Sequence, residues 1–311
     1  MNEQSDPLAR TPFLGKTEAV RVTRDVTYAH AGIDYSPETG ARQHRALKLD
    51  VYEPERPSPS PRPALILAFG GAFHRGSKET DEFDDEEGSF STPVSEYCRL
   101  FAERGYVCFC IDYRLTQERP DPGVTPVLDP AEPMNKDRVN VVREWLGFPP
   151  ASDEELRWGI EAATDDMAQA VYWVRSRSRL HNVDIGRIAV GGFSAGAMIA
   201  LNAALLERAP VGAVVSISGR VSPGALEMAL GGAPPILMLI GERDLPAILD
   251  GSERTQAALS RADPRHRVLR LPGATHFYPK TTRTAEGGDV ERAIATFLYD
   301  ALRLGPHGAA D

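Results

Sequence analysis

The sequence predicts an α/β fold: a mostly parallel, doubly wound sheet, led by an antiparallel hairpin and interrupted by an inserted cap. Short apolar runs alternate with helix-forming stretches along the 311 residues, as parallel strands joined by right-handed helical crossovers do. The first two strand candidates alternate apolar and polar residues, the pattern of antiparallel strands with one solvated face. The later candidates are nearly continuous apolar runs, the pattern of strands covered on both faces.

In chain order, strands are expected at 20–28 (VRVTRDVTY), 45–52 (RALKLDVY), 63–69 (PALILAF), 106–112 (YVCFCID), 187–191, 212–217 (GAVVSI), 235–240 (PILMLI) and 266–271 (HRVLRL). Helices are expected at roughly 91–104, 153–179, 195–207, 251–261 and 288–303. Residues 54–63 (PERPSPSPRP) form a proline-rich connection that cannot join a sheet interior. Residues 115–152 carry seven prolines between the fourth main strand and the next helix, with a short helix expected at 136–147. So long an excursion in a compact domain is commonly a lid or binding loop. The expected organisation is an N-terminal extension (1–19), one domain (20–305) with a cap around 113–155, and a tail (306–311). There is no internal repeat.

Composition narrows the function. Hydrophobic residues make up 42%, enough for a sizeable core, and the net charge of −9 comes without a dense Lys/Arg block. That argues against a nucleic-acid partner, which would want a basic footprint. The acidic run 81–87 reads as a solvated, mobile loop, with a metal site or a funnel for cationic ligands as the alternative. Three cysteines (Cys98, Cys108, Cys110) fit neither a disulfide framework nor a zinc site. Cys108 and Cys110 share one face of a strand and read as buried thiols. The N-terminus has no apolar leader core, and no apolar run is long enough to span a membrane, so a cytoplasmic protein is expected.

The chemistry is carried by Gly192-Phe193-Ser194-Ala195-Gly196, set between an apolar strand and an Ala/Leu-rich helix. In a G-x-S-x-G elbow the serine sits on a sharp strand-to-helix turn. Its hydroxyl then faces a helix N-terminus, where backbone N–H groups favour a developing negative charge. The competing reading is a glycine-rich turn with an incidental N-capping serine. A nucleophilic serine needs a base, and the base an orienting carboxylate. Asp244 follows strand 235–240 and His276 follows strand 266–271, which brings all three to the edge of a parallel sheet where ligands bind. Glu242 and Asp250 are rival acids; Asp244 is preferred because it lies deeper in its loop. After strand 63–69, the stretch Phe69-Gly70-Gly71-Ala72-Phe73-His74 offers small residues whose N–H groups could hold an oxyanion, joined by the Ala195 N–H.

"LDVYEP", "FGGAFHRGSK", "IDYRL", "GGFSAGAM", "GERD" and "GATHFY" occur in an order that resembles the α/β-hydrolase superfamily, on the esterase/lipase (carboxylesterase) side with an HGGG-type oxyanion motif. The resemblance covers roughly 20–305. It implies Ser194 as nucleophile, Asp244 as acid, His276 as base, and Gly71, Ala72 and Ala195 as N–H donors. It also implies a small-molecule ester substrate, with no cofactor and no metal. Two positions depart from the motif. Its leading histidine is Phe69 here, so the loop must be braced from elsewhere. Its last glycine is Ala72, which leaves less room beside the scissile carbonyl and disfavours bulky tertiary-alcohol esters. The rival functions are amide, formamide or carbamate hydrolysis at the same site, a non-hydrolytic lyase or cyclase of the same fold, and a non-catalytic binding protein. A homodimer stays open.

Other residues invite structural readings. Asp165-Asp166 open the run 163–175 and read as acidic residues stabilising a helix N-terminus. His74 reads equally as a pocket or a surface residue. Trp145, Phe148, Trp158 and Trp173 read as cap and helix packing.

Overall fold

The computed structural model describes residues 11–85, 87–122, 128–131, 133–221, 232–262 and 265–305. An antiparallel pair, β1 (Val20–Ile33) and β2 (Gln43–Pro54), opens the sheet. It is followed by β3 (Arg62–Ala68), β4 (Val107–Ile111), β5 (Val183–Phe193), β6 (Ala213–Ile217), β7 (Ile236–Gly241) and β8 (Arg267–Leu271). Among the described residues the strand order is β1-β2-β4-β3-β5-β6-β7-β8. The β2–β4 pairing is also antiparallel, and every pairing from β4 through β3 to β8 is parallel. This is the α/β-hydrolase type of sheet, with the expected hairpin at one edge.

Burial explains the difference between the two strand types. In β2, Leu47, Leu49 and Val51 are sealed on one face; on the other, Lys48 is exposed while Asp50 and Tyr52 are buried, so water reaches only part of that face. Every residue of β4 and β7 is buried, as continuous apolar strands require. The helices are α1 (Val94–Glu103), α2 (Asp137–Trp145), α3 (Asp153–Ser176), α4 (Ala195–Leu205), α5 (Pro246–Ala262) and α6 (Val290–Ala301). A capping box starts α3: Ser152 Oγ accepts from the Glu155 N–H at 3.0 Å, and Glu155 returns the bond to the Ser152 N–H at 2.9 Å. α4 is buried at every residue but Met198, packed between β5 and α3, which is why its sequence is apolar all round. α5 begins five residues earlier than expected, at Pro246, a residue suited to the first turn of a helix.

Three expectations need correction. Asp165 and Asp166 lie in the middle of α3, not at a helix start, because α3 runs unbroken from Asp153. Asp166 is sealed and receives Nη2 of Arg114 at 2.8 Å, a pair that ties the chain after β4 to α3. The acidic run 81–87 is not simply a solvated loop. Asp81 and Phe83 are buried, Asp85 accepts from the Thr275 hydroxyl at 2.7 Å, and Glu87 pairs with Arg243 at 2.7 Å; Glu86 lies outside the described residues. Trp145 and Phe148 are exposed, not buried in packing, with arginine guanidinium groups over their rings; Trp158 and Trp173 do pack, against Tyr35 and Phe109. Cys108 and Cys110 are buried free thiols, as expected, and Cys98 is one as well. Among the described residues no helix is long and apolar enough to cross a membrane.

Candidate active site

β5 ends at Phe193 and α4 begins at Ala195, leaving Ser194 alone to make the turn, at φ 52° and ψ −113°. A non-glycine residue in that region is strained by about 1–3 kcal/mol, a strain that persists only where the surroundings fix it. The chain after the turn passes so close to β3 that a Cβ on Gly196 would stand 2.1 Å from the Ala68 carbonyl oxygen. Glycine is therefore obligatory there. Ser194 does not cap α4 with its side chain; its Oγ lies 2.9 Å from Nε2 of His276.

His276 and Asp244 are both buried, each on the loop after its strand. Nδ1 of His276 lies 2.6 Å from Oδ1 of Asp244. A carboxylate accepts only, so the imidazole proton sits on Nδ1 and the Nε2 lone pair faces Ser194. Two further donors hold the carboxylate: the Leu245 N–H to Oδ1 at 2.7 Å and the Ser218 hydroxyl to Oδ2 at 2.6 Å. The Tyr278 hydroxyl stands 3.0 Å from Ser218 Oγ and 2.8 Å from the Leu239 carbonyl. Burial, with the Asp244 charge beside it, raises the Tyr278 pKa well above its ordinary value, so it stays a neutral phenol. Neither Ser218 nor Tyr278 was singled out from the sequence. The signal was there: Ser218 directly follows the strand beside the one that delivers Asp244, and Tyr278 follows His276 by two. Of the rival acids, Glu242 accepts from the Gly273 N–H at 2.9 Å and shapes the turn that carries His276, while Asp250 is exposed on α5.

Gly71, Ala72 and Ala195 lie with Ser194 at the same edge of the sheet; Gly71, Ala72, Ser194 and His276 line one narrow cavity. Gly71 has φ 106°, and a Cβ on it would stand 2.0 Å from the Arg75 carbonyl oxygen. Ala72 (φ 55°) and Phe73 (φ 60°) follow in the left-handed region. Phe69, where the motif has histidine, stacks on Tyr113 with ring centroids 4.4 Å apart. The Tyr113 hydroxyl reaches the Phe69 and Gly70 carbonyl oxygens at 3.0 and 3.1 Å, so the missing brace is supplied by the tyrosine of "IDYRL". His74 is neither a pocket nor a surface residue. It is buried behind the loop, because its ring bonds the Ala72 carbonyl at 2.8 Å.

Phe83, Phe193 and Phe277 close the cavity with Arg75, and α2 adds Arg138 and Val142. The guanidinium of Arg75 lies over the rings of Phe83 (4.7 Å) and Trp145 (5.3 Å), and that of Arg138 over Trp145 (4.9 Å) and Phe277 (5.7 Å). Burial lowers both guanidinium pKa values, and the Arg75 charge adds to the effect on Arg138. Outside this site, among the described residues, one trio has carboxylates close enough to share an ion: Asp25, Asp50 and Glu79. The Lys78 ammonium already pairs with all three, 2.9 Å from Asp50 and 3.0 Å from Asp25, so a resident amine supplies the positive charge.

The model of the dienelactone hydrolase family matches residues 88–301. Among solved structures, Thermogutta terrifontis esterase 2 phosphorylated by paraoxon superposes with a TM-score of 0.57 at 18% identity, over 92% of this chain and 91% of that one. The apo form of that esterase gives 0.54 at 18% identity over the same shares. The native thermophilic esterase Est2 from the same planctomycete gives 0.51 at 17% identity, over 87% and 88%. At that identity the likeness is one of fold. No curated protein matches the chain in sequence.

Proposed function

The chain belongs to the dienelactone hydrolase family and is a carboxylic ester hydrolase, and from that premise we propose that it works as a serine esterase through an acyl-enzyme. The observation that carries the proposal is the line of contacts Ser194 Oγ, His276 Nε2, His276 Nδ1, Asp244 Oδ1, at 2.9 and 2.6 Å. Ser194 Oγ attacks the ester carbonyl as His276 Nε2 takes its proton. Asp244 keeps the imidazole in the useful tautomer and stabilises its cation. His276 then returns the proton to the leaving alkoxide. In the second half it takes a proton from water, whose oxygen attacks the acyl carbon and frees Ser194.

The Gly71, Ala72 and Ala195 N–H groups are assigned to the oxyanion, each contributing about 3–4 kcal/mol to the transition state. Arg75, Arg138 and Val142 form the wall of a small cavity, which favours short acyl groups. The expected substrate is a small-molecule ester.

The test is hydrolysis of p-nitrophenyl esters from acetate to decanoate by the wild type and by Ser194→Ala. Turnover at the short end that vanishes in the variant is the expected result. Substantial turnover in the variant would remove Ser194 from the mechanism. An amide with the same acyl group, run in parallel, separates ester from amide preference.

A further inference from the structure

Behind the oxyanion loop, side chains from the loop and the cap meet out of contact with solvent. His74 is 1% exposed and Arg143, on α2, 5%. Nδ1 of His74 lies 2.8 Å from the Ala72 carbonyl oxygen, and its Nε2 lies 3.1 Å from Nη1 of Arg143. A carbonyl can only accept and a guanidinium can only donate. The two contacts together fix the ring as the neutral form with its proton on Nδ1: Nδ1–H donates to Ala72, and Nε2 accepts from Arg143. The groups facing the ring are the Ala72 carbonyl on its own loop, Arg143 from α2 and Glu155 from α3. Burial, helped by the Arg143 charge, lowers the ring's pKa from its ordinary value, which keeps it neutral.

Arg143 is itself anchored. Its Nε donates to the Pro149 carbonyl at 2.5 Å, and Nη2 lies 3.8 Å from Glu155. The loop at the other end needs holding, since Ala72 and Phe73 are consecutive L-residues at positive φ. Each of them is strained by roughly 1–2 kcal/mol, so an unbraced loop would relax out of this shape. The backbone bonds nearby do not hold the Ala72 carbonyl: Thr116 N–H goes to Phe73 at 2.8 Å, and the Gln117 amide goes to His74 at 2.7 Å.

Resting on the serine-esterase reading above, we propose that Arg143 of the cap helix positions the oxyanion loop through His74, so that the oxyanion hole is in working shape only while α2 is seated. His74 is a positioning residue. It touches neither Ser194 nor the cavity, and it acts through the peptide of Ala72. α2 also lends Arg138 and Val142 to the cavity wall. The helix that shapes the pocket is therefore the helix that sets the hole, and a ligand that seats α2 completes the machinery that cleaves it.

The experiment compares His74→Leu, His74→Asn, Arg143→Met and Arg143→Lys with the wild type, each first checked for folding by its thermal transition. For p-nitrophenyl acetate, His74→Leu is expected to lower kcat about tenfold while changing KM no more than about twofold, because the hole acts on the transition state. His74→Asn, whose side-chain N–H can still reach the Ala72 carbonyl, should recover most of that loss, as should Arg143→Lys relative to Arg143→Met. A folded His74→Leu with an unchanged kcat overturns the proposal.

A second readout is independent of turnover. Long-range ¹H–¹⁵N spectra should show the His74 ring as a single Nδ1–H tautomer in the wild type and as a mixture in Arg143→Met. A ring protonated on Nε2, or one indifferent to Arg143, overturns the proposal. If the wild type cleaves no ester, the esterase reading fails, and the spectra still decide the relay.

Discussion

The Ser218 hydroxyl donates to Asp244 Oδ2 at 2.6 Å, the oxygen that His276 leaves free. Ser218 thereby shares with the Leu245 N–H the task of satisfying a fully buried carboxylate. A hydrogen bond to a charged group contributes about 1.5–3 kcal/mol. Ser218→Ala is therefore expected to lower kcat/KM by roughly tenfold or more, with KM little changed. Steady-state kinetics on p-nitrophenyl acetate decide it. A variant within twofold of the wild type would mean that the Leu245 N–H alone suffices.

The backbone of Ser194 offers a second test, on stability. At φ 52° and ψ −113° a side chain is a liability, and glycine is indifferent to that conformation. Ser194→Gly and Ser194→Ala should both be inactive, but the glycine variant should be the more stable by about 1 kcal/mol. Urea unfolding of the two variants side by side removes the loss of the hydroxyl from the comparison. Equal midpoints would show that the elbow is not strained.

Much of this site was legible in the sequence because its rule is simple. In a parallel sheet the loops after successive strands share an edge, so Ser194, Asp244 and His276 could be placed by counting strands. What stayed hidden depends on lateral neighbours. Ser218 reaches Asp244 because β6 lies beside β7, and Tyr113 replaces the expected histidine because β4 lies beside β3. The acidic run misled for a related reason. α1 starts after Pro93, which has no side chain able to cap it, so Asp81 accepts the Val94 N–H from thirteen residues away. Nothing local distinguishes that aspartate from its solvated neighbours.

Asp81 consequently carries a pH dependence of stability. Burial raises its carboxyl from 3.8 to about 7, the neighbouring Glu82 charge adds to this, and among the described residues its Oδ1 has no hydrogen-bond partner. Between those pH values the folded chain holds a proton that the unfolded chain has released. The contribution is therefore fully present below pH 3.8 and is lost as the pH rises through about 7. Asp81→Asn keeps the acceptor for Val94 and removes the charge. Measured by urea unfolding, the stability of the variant relative to the wild type should improve by about 2 kcal/mol between pH 5 and pH 8. The same difference at both pH values would mean that Asp81 is charged throughout.

Arg75 and Arg138 make no ion pair among the described residues, yet both stand at the wall of the cavity that holds Ser194. Their aromatic stacking occupies the faces of the guanidinium groups and leaves the N–H edges able to meet an anion. An ester whose acyl chain ends in a carboxylate should therefore be favoured over its neutral isostere. Arg138→Ala also disturbs the packing of Trp145 and Phe277, so the rate on one substrate is ambiguous. The ratio of kcat/KM for the charged and neutral esters is not, because lost packing lowers both. That ratio should fall about tenfold in Arg138→Ala, and it should fall in the wild type as salt is added, since the interaction is one between charges. An unchanged ratio would assign the arginines to the packing of α2 alone.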